Sequence, residues 1–494
     1  MSNTSTASTP IVDTTPHEAV SARNRLVIGL LLASAFVVIL NETIMGVALP
    51  ELMIDLSITA TAAQWLTTAF LLTMATVIPI TGFLLQRFTT RPVFITAMSM
   101  FSLGTLIAAL APGFEVLLVG RVIQAVGTAI MMPLLMTTVL NLVPAESRGR
   151  MMGNIAIVIS VAPAIGPTIS GIILNSLEWR WMFIIVLPIA LTALALGVAK
   201  IQNVSTPKAT RLDVPSVILA AFGFGGLVYG LSNLGEAAAE MGPIAGWGPL
   251  CVGVIALLLF VQRQLRLQKT DSALLDLRTF TSRNFTLSTT MLAISMMALF
   301  GTIILLPLFT QTALGLDTLT TGLLLLPGGL IMGSMAPFVG RAFDRFGPRL
   351  LLVAGSLLVS SAFFSMSMMD DTTSIWRVLL GHMTLSAGLA LLFTPLFSAG
   401  LGSLPRSLYS HGSATVSTIQ QVAGAIGTAV FIAVMTTQSA ALLATGAGDT
   451  EAIAGGITTA FFYGTIISLF AIPLAFLIRR PTEPADGERM PAGH

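Results

Sequence analysis

Long apolar runs make up most of this chain, and its positive charges fall in alternate gaps between them. The runs reach about 20 residues, which is the length that an α-helix needs to cross a hydrocarbon core about 30 Å thick. Only 9% of the 494 residues are Asp, Glu, Lys or Arg, whereas 54% are hydrophobic. Soluble domains of this size do not have such a composition. The sequence therefore predicts an all-α polytopic membrane protein.

The alternation of charge predicts fourteen membrane spans and their orientation. Basic residues follow every second span, and all but three of the 24 Lys and Arg fall on one side of the predicted bilayer. Because loops rich in Lys and Arg stay in the cytoplasm, we expect a multi-pass protein of the plasma membrane with both termini cytoplasmic. The net charge of +2 is spread over loops that face anionic headgroups, so nucleic acid is not an expected partner.

An internal repeat divides the chain into two halves. A turn of glycine followed by basic residues occurs after span 2, with Gly82, Arg87 and Arg91, and again after span 10, with Gly340, Asp344, Arg345, Gly347 and Arg349. Parallel repeats around a central site are typical of secondary transporters. The repeat predicts two six-helix bundles with spans 7 and 8 inserted between them. The expected organisation is a disordered cytoplasmic tail (1–25), an N-terminal bundle (26–200), the inserted pair with a cytoplasmic linker (201–285), a C-terminal bundle (286–480) and a second cytoplasmic tail (481–494).

One acid and one base are predicted to lie well inside the membrane at matching depth. Glu42 in span 1 and Arg121 in span 4 both lie roughly 10 Å below the outer ends of their helices. A carboxylate at the bilayer centre costs at least about 2.5 kcal/mol, so Glu42 is expected to be protonated, paired or facing water. A pairing with Arg121 that changes with conformation would make the proton affinity of Glu42 depend on conformation. The alternative is a static ion pair that orients the two helices.

Taken together, these motifs resemble the 14-span drug:proton antiporter branch of the major facilitator superfamily, including relatives that confer lincomycin resistance. The glycine and arginine turn carries the likeness, together with four stretches: 40–50 around Glu42, 121–127 with Arg121 and Gln124, 162–171, and 179–183. This resemblance implies the major facilitator fold and proton-coupled efflux of small amphipathic drugs by alternating access. It also implies a monomer that binds substrates and protons and uses the proton gradient rather than a cofactor. Three departures are Gln86, where most members have Asp, Thr90, which replaces a usual basic residue, and Asn41, which occupies the usual position of the span 1 acid.

Two further groups are candidates for conformational roles. In span 5, Gly166, Pro167 and Gly171 belong to a stretch of small residues, for which the resemblance implies a bent hinge between the bundles; close helix packing is the alternative. The charges Asp344, Arg345 and Arg349 are implied to form a cytoplasmic latch that stabilises one access state, with a topology signal as the alternative. His382 in span 12 is a possible secondary proton site, although a structural hydrogen bond is favoured.

The sequence lacks the residues that several other functions require. None of its three lysines follows a glycine, so no phosphate-binding loop for ATP is present. With one cysteine, Cys251, there is no Cys-based metal site, and no metal is expected. An intramembrane enzyme would need a nucleophile and base pair, which His382 alone does not supply, so we expect no enzyme. Within transport, the alternative to drug efflux is proton-coupled transport of a native metabolite.

The segment from Arg263 to Phe285 is basic and amphipathic. Its apolar residues include Leu274, Leu275, Leu277 and Phe280. This pattern predicts a linker that lies along the cytoplasmic membrane surface and joins the second bundle, while the inserted pair packs at the periphery.

Overall fold

The computed structural model describes residues 22–58, 60–144, 147–174, 176–203, 207, 212–231 and 243–480. Within these ranges, fourteen helical segments are long and apolar enough to cross a membrane, which confirms the predicted number of spans. The two predicted tails lie largely outside the described residues. The helices are α1 (Ala22–Asp55), α2 (Ala60–Arg87), α3 (Thr90–Ala109), α4 (Phe114–Leu142), α5 (Arg148–Leu174), α6 (Arg180–Lys200), α7 (Val214–Ala220, continued through a π-helical turn to Leu231), α8 (Pro243–Leu267), α9 (Arg283–Leu308), α10 (Thr318–Phe346), α11 (Pro348–Ser367), α12 (Ile375–Gly402), α13 (Tyr409–Ala444), α14 (Asp449–Leu469) and the short α15 (Ala471–Leu477).

Local sequence fixes several helix ends. Asp317 lies just before α10, and its carboxylate accepts a hydrogen bond from the Thr320 amide at 2.6 Å, which satisfies a free donor of the first turn. The same helix ends at Gly347, whose φ of 79° lies in the left-handed region that glycine adopts without strain. Pro348 then begins α11, where its fixed φ suits the first helical position.

Helices α1–α6 and α9–α14 form the two predicted bundles, and glycine lets neighbouring helices approach closely. Between α3 and α4, a Cβ atom on Gly104 would lie 2.4 Å from the Gln124 nitrogen, and one on Gly127 would lie 2.3 Å from the Ala97 carbonyl oxygen. No larger side chain fits either position, because both neighbours are backbone atoms. This packing holds α4 rigidly against α3.

Besides smaller contacts of α4 with α13 and of α5 with α12, the bundles meet mainly along two pairs of helices, α5 with α10 and α2 with α13. Both pairs come together near the ends that carry most of the arginines, here called the basic side, which includes Arg87, Arg148, Arg150, Arg345 and Arg349. On the basic side, the two halves of the protein are therefore in contact.

The inserted pair α7 and α8 packs against α2 and presents apolar side chains such as Phe222, Ile255 and Leu258 at its outer surface. Cys251 is exposed on α8. In the linker that follows α8, two leucines of the predicted membrane-facing side point into the protein instead. Leu274 and Leu275 are only 2% and 3% exposed, because they pack into a cluster with α2 and α13.

Candidate functional site

Arg121 lies at the centre of a buried polar network that joins four helices. Its Nη1 donates to Gln124 Oε1 at 2.8 Å and approaches Asn41 Oδ1 of α1 at 3.4 Å. Gln124 in turn donates to the Thr105 hydroxyl of α3 at 2.8 Å. The guanidinium carbon lies 4.0 Å from the centre of the Phe70 ring of α2, a cation–π geometry. The side chain is 1% exposed, so its charge is held in place by these contacts away from water.

Glu42 is half-buried next to this network but does not pair with Arg121 in the structure. Among the described residues, it accepts no hydrogen bond, and the Arg121 nitrogens lie beyond 4 Å. Asn41 occupies the contact instead. The Nε atom of Arg121 is buried without a hydrogen-bond partner in the described part of the chain. One N–H group of the Arg121 guanidinium is thus available for a hydrogen bond in another conformation of the site.

Helix α5 contacts α1 beside Glu42. A Cβ atom on Gly166 would lie 2.2 Å from the hydroxyl oxygen of Thr43, the residue that follows Glu42. Helix α5 continues unbroken through Gly166 and Pro167. By contrast, a Cβ atom on Gly171 would meet nothing within 4 Å, so Gly166 alone of the two candidate glycines makes a close helix contact here.

Towards the basic side, the same helix packs on α10 of the other bundle. A Cβ atom on Gly149 would lie 2.7 Å from the Gly340 carbonyl oxygen, and one on Gly340 would lie 2.4 Å from the Gly149 carbonyl oxygen. One turn further along α5, a Cβ on Gly153 would lie 2.5 Å from the Ala336 carbonyl oxygen. The backbones of the two bundles are thus in direct contact along this seam.

Asp344 closes the end of the seam. Its carboxylate oxygens accept hydrogen bonds from the Gly149 and Arg150 amides, at 2.9 and 3.0 Å. These amides belong to the first turn of α5, where N–H groups lack helical partners and the helix dipole favours negative charge. The acid of one bundle therefore caps a helix of the other.

The arginines of the two repeated turns, after α2 and after α10, make their contacts within their own bundles. Arg349 donates twice to the Phe476 carbonyl oxygen at the end of α15, at 3.0 and 2.6 Å, and Arg345 lies against the Phe346 ring. In the glycine and arginine turn that follows α2, Arg91 donates to the Val198 carbonyl oxygen of α6 at 2.7 Å, and Arg87 is exposed. Of the charged group Asp344, Arg345 and Arg349, Asp344 is the residue that joins the bundles.

Gly82 of α2 is the counterpart of Gly340 in the repeated turn. It lies at the other main contact between the bundles, that of α2 with α13. A Cβ on Gly82 would lie 3.0 Å from the Leu274 carbonyl oxygen and 3.5 Å from the Ala414 side chain of α13. Gln86 supplies no negative charge here. The linker leucines pack beside it, and a Cβ on Gly82 would also lie 3.1 Å from Nδ1 of His411 in α13, so the linker and α13 side chains make this contact where a carboxylate makes its counterpart.

Gln264 of α8 holds the linker in this position. Its fully buried amide oxygen accepts hydrogen bonds from Leu274 and Leu275, at 2.8 and 3.3 Å, and its amide nitrogen donates to Ser216 of α7 at 2.7 Å. Asp213, at the start of α7, pairs with Arg263 of α8 at 2.6 Å. Hydrogen bonds from Arg263 hold the pKa of Asp213 below its usual value. That pair therefore stabilises the hairpin above the ordinary carboxyl pKa and is lost as pH falls through the lowered value.

We expect Gln264→Leu to loosen the linker. The substitution leaves two buried amides without acceptors, which costs about 1–3 kcal/mol, and amide hydrogen exchange over 270–276 should accelerate about fivefold to a hundredfold. Gln262→Leu is the control, because Gln262 is exposed on the same helix. Equal exchange rates in the two variants would contradict this role for Gln264.

His382 contacts α10, a helix of its own bundle. Its Nε2 lies 3.2 Å from the Leu325 carbonyl oxygen of α10, and the ring packs against Gly328. This contact matches the favoured interpretation of His382 as a hydrogen-bonded histidine, and the ring is not in contact with the Arg121 network.

Several functional neighbours are not evident from sequence. Thr105 and Phe70 carry no signal beyond ordinary membrane composition, although the close spacing of Gly120, Gln124 and Gly127 marks α4 as a helix with a packed polar face. Gln264 carries no distinguishing signal either, because the exposed Gln262 lies two residues earlier on the same helix end. Among the residues described, no group of three or more His, Cys, Asp or Glu side chains is arranged to hold a metal ion.

Comparisons with known proteins agree with this architecture. The Major Facilitator Superfamily profile matches residues 31–428. The chain is 44% identical over 471 residues to the uncharacterized MFS-type transporter YcnB of Bacillus subtilis, covering 93% of this chain and 96% of that protein. It is 42% identical over 465 residues to the lincomycin resistance protein LmrB of Listeria monocytogenes, covering 92% of this chain and 96% of that protein.

Among solved structures, the chain resembles the human organic anion transporter MFSD10, with a TM-score of 0.66 at 15% identity over 92% of this chain and 99% of that one. The proton:xylose symporter XylE gives a TM-score of 0.62 at 16% identity, covering 92% and 96%.

Proposed function

Because this chain belongs to the major facilitator superfamily and is therefore a membrane transporter, not an enzyme, we propose that it exports amphipathic drugs in exchange for protons by alternating access. The observation that carries the proposal is the half-buried carboxylate of Glu42 beside the fixed charge of Arg121. The lincomycin-resistance relatives support a drug as the substrate. We place the protein in the cytoplasmic membrane with the basic side facing the cytoplasm.

The proton step follows from the position of Arg121. Its contacts with Asn41, Gln124 and Phe70 keep the guanidinium in place, so a rotation of α1 changes the distance between Glu42 and a fixed positive charge. Glu42 binds a proton more weakly when it approaches the guanidinium and more tightly when it is buried away from it. Uptake on one side of the membrane and release on the other then require only that the two access states differ in this distance.

Helix α5 connects the proton site to the contact between the bundles. Near its middle, Gly166 packs on Thr43, next to Glu42; at its first turn, Gly149 and Arg150 bind Asp344. A shift of α1 that follows protonation would be transmitted along this helix to the basic side. In this structure the two bundles are in contact on the basic side, so the path from the cytoplasm is closed. Glu42 would therefore receive its proton from outside the cell.

Transport in proteoliposomes that contain only this protein tests the proposal. An inward proton gradient should drive export of a lincosamide or an amphipathic cation, and the driving force is about 2.3 kcal/mol per proton and 100 mV. A gradient that drives neither substrate class would contradict drug:proton exchange. If a native metabolite is transported under the same gradient while drugs are not, proton coupling stands and drug export is wrong.

Replacing Asp344 by Asn should slow turnover more than it weakens substrate binding. The amide keeps the shape of the carboxylate but loses the charge that stabilises the first turn of α5, an effect of about 0.5–2 kcal/mol, or a few-fold to thirtyfold in the ratio of access states. Asp317→Asn is the control, because Asp317 also caps a helix but does so at the other end of α10. Substrate affinity and turnover are measured separately; a fall in affinity with unchanged turnover would show that Asp344 is not a latch.

A further inference from the structure

A cavity of about 380 Å³ opens on the basic side, apart from the Glu42 site. It lies where the start of α9, the end of α12 and the chain after α15 meet. Its lining residues are Ser282, Arg283, Asn284, Ser403, Leu477, Arg479 and Arg480. Three arginines therefore line one opening.

The three arginines form no close ion pair within the described chain. No carboxylate of the described residues lies within 4 Å of a side-chain nitrogen of Arg283, Arg479 or Arg480. Arg480 instead donates to the backbone carbonyl oxygen of Asp344 at 2.8 Å. Three adjacent arginines that form no ion pair within 4 Å among the described residues favour an anionic ligand.

The wall of the cavity is held in shape by its own hydrogen bonds. Asn284 exchanges two bonds with the backbone of Arg479, at 3.1 and 3.2 Å, and the hydroxyls of Ser282 and Ser403 lie 2.7 Å apart. These contacts use amide, hydroxyl and backbone groups rather than the guanidinium groups of Arg283 and Arg479. The site is therefore positioned before a ligand binds, which lowers the entropic cost of binding.

The location of the cavity indicates the source of the anion. Arg283 is the first residue of α9, Ser403 directly follows α12, and Leu477 ends α15. Ends of membrane-spanning helices lie at the level of the lipid headgroups. Leu477 and the neighbouring Phe476 are exposed apolar residues, 43% and 48%. The opening thus combines a cationic wall with an apolar edge.

We propose that this cavity binds the phosphate group of an anionic phospholipid from the adjacent leaflet. Guanidinium groups form paired hydrogen bonds with phosphate oxygens, and the acyl chains would extend over Leu477 and Phe476. The bound headgroup would also position Arg480, which contacts the backbone of Asp344. Lipid binding would then favour closure of the basic side.

Lipid retention by the purified full-length protein tests this site. Native mass spectrometry in detergent would count bound molecules during titration with phosphatidylglycerol and, separately, with phosphatidylcholine. Each arginine near a charged membrane surface contributes about one kilocalorie to binding, so the double variant Arg283→Gln with Arg479→Gln should retain phosphatidylglycerol about tenfold to thirtyfold less well. The matched control is Arg266→Gln with Arg406→Gln, which removes two exposed arginines outside the cavity.

The outcomes distinguish the sources of phosphate. Selective loss of phosphatidylglycerol in the cavity variant, with wild-type retention in the control and unchanged thermal unfolding, supports the proposal. Equal retention in both double variants, or equal retention of phosphatidylcholine by the wild type, overturns it. Displacement of the lipid by millimolar inorganic phosphate would assign the cavity to a soluble anion and overturn the lipid source.

Discussion

Glu42→Gln is expected to abolish proton-driven export while leaving insertion into the membrane intact. The amide occupies the space of the carboxyl group but cannot carry a proton between the two sides. Arg121 keeps its contacts with Asn41 and Gln124 in this variant, so the fold around the site should persist. We expect transport driven by an imposed pH gradient to fall at least a hundredfold, to the rate of empty liposomes.

Two comparisons make this result specific. Glu51→Gln removes an exposed acid from the same helix and should transport normally. Exchange of labelled for unlabelled substrate needs no net proton movement, so Glu42→Gln should retain it if the variant can still change access state. Normal pH-driven export by Glu42→Gln would place the coupling site elsewhere, and His382 would be the next candidate.

The sequence predicts the membrane architecture well because few physical solutions exist. Buried backbone in a bilayer must be helical, and lengths of apolar segments and the side of the arginines then determine the number of spans and their order. The repeated glycine turn also identified Asp344. Its role as a cap is visible in the structure because the first turn of α5 supplies unpaired amides at the same place.

The missing details depend on contacts between distant parts of the chain. The sequence places Glu42 and Arg121 at one depth but does not show how α1 is rotated, and a rotation of one residue puts Asn41 at the guanidinium instead. The linker was predicted to lie on the membrane because Leu274 and Leu275 look like an amphipathic face. A buried amide on another helix, Gln264, binds their backbone, and no local pattern could indicate that contact.

A single added methyl group at Gly340 is expected to prevent closure of the basic side. The new Cβ of Gly340→Ala would lie 2.4 Å from the Gly149 carbonyl oxygen and 3.0 Å from the Arg150 Cα, and neither backbone atom can rotate away. Overpacking of this kind costs about 1–3 kcal/mol. The bundles can relieve it by separating, so the ratio of closed to open states should fall about fivefold to a hundredfold.

Gly322→Ala is a control on the same helix, because a Cβ there meets nothing within 4 Å and the gain in helix propensity is the same. Hydrogen exchange reports the difference directly, since the Gly149 and Arg150 amides are bound to Asp344 across the seam. These amides should exchange faster by the same factor in Gly340→Ala and at the wild-type rate in Gly322→Ala, and export should slow only in the former. If Gly340→Ala leaves both exchange and export unchanged, the contact between α5 and α10 does not control access, and the closure of the basic side must depend on the α2 and α13 contact instead.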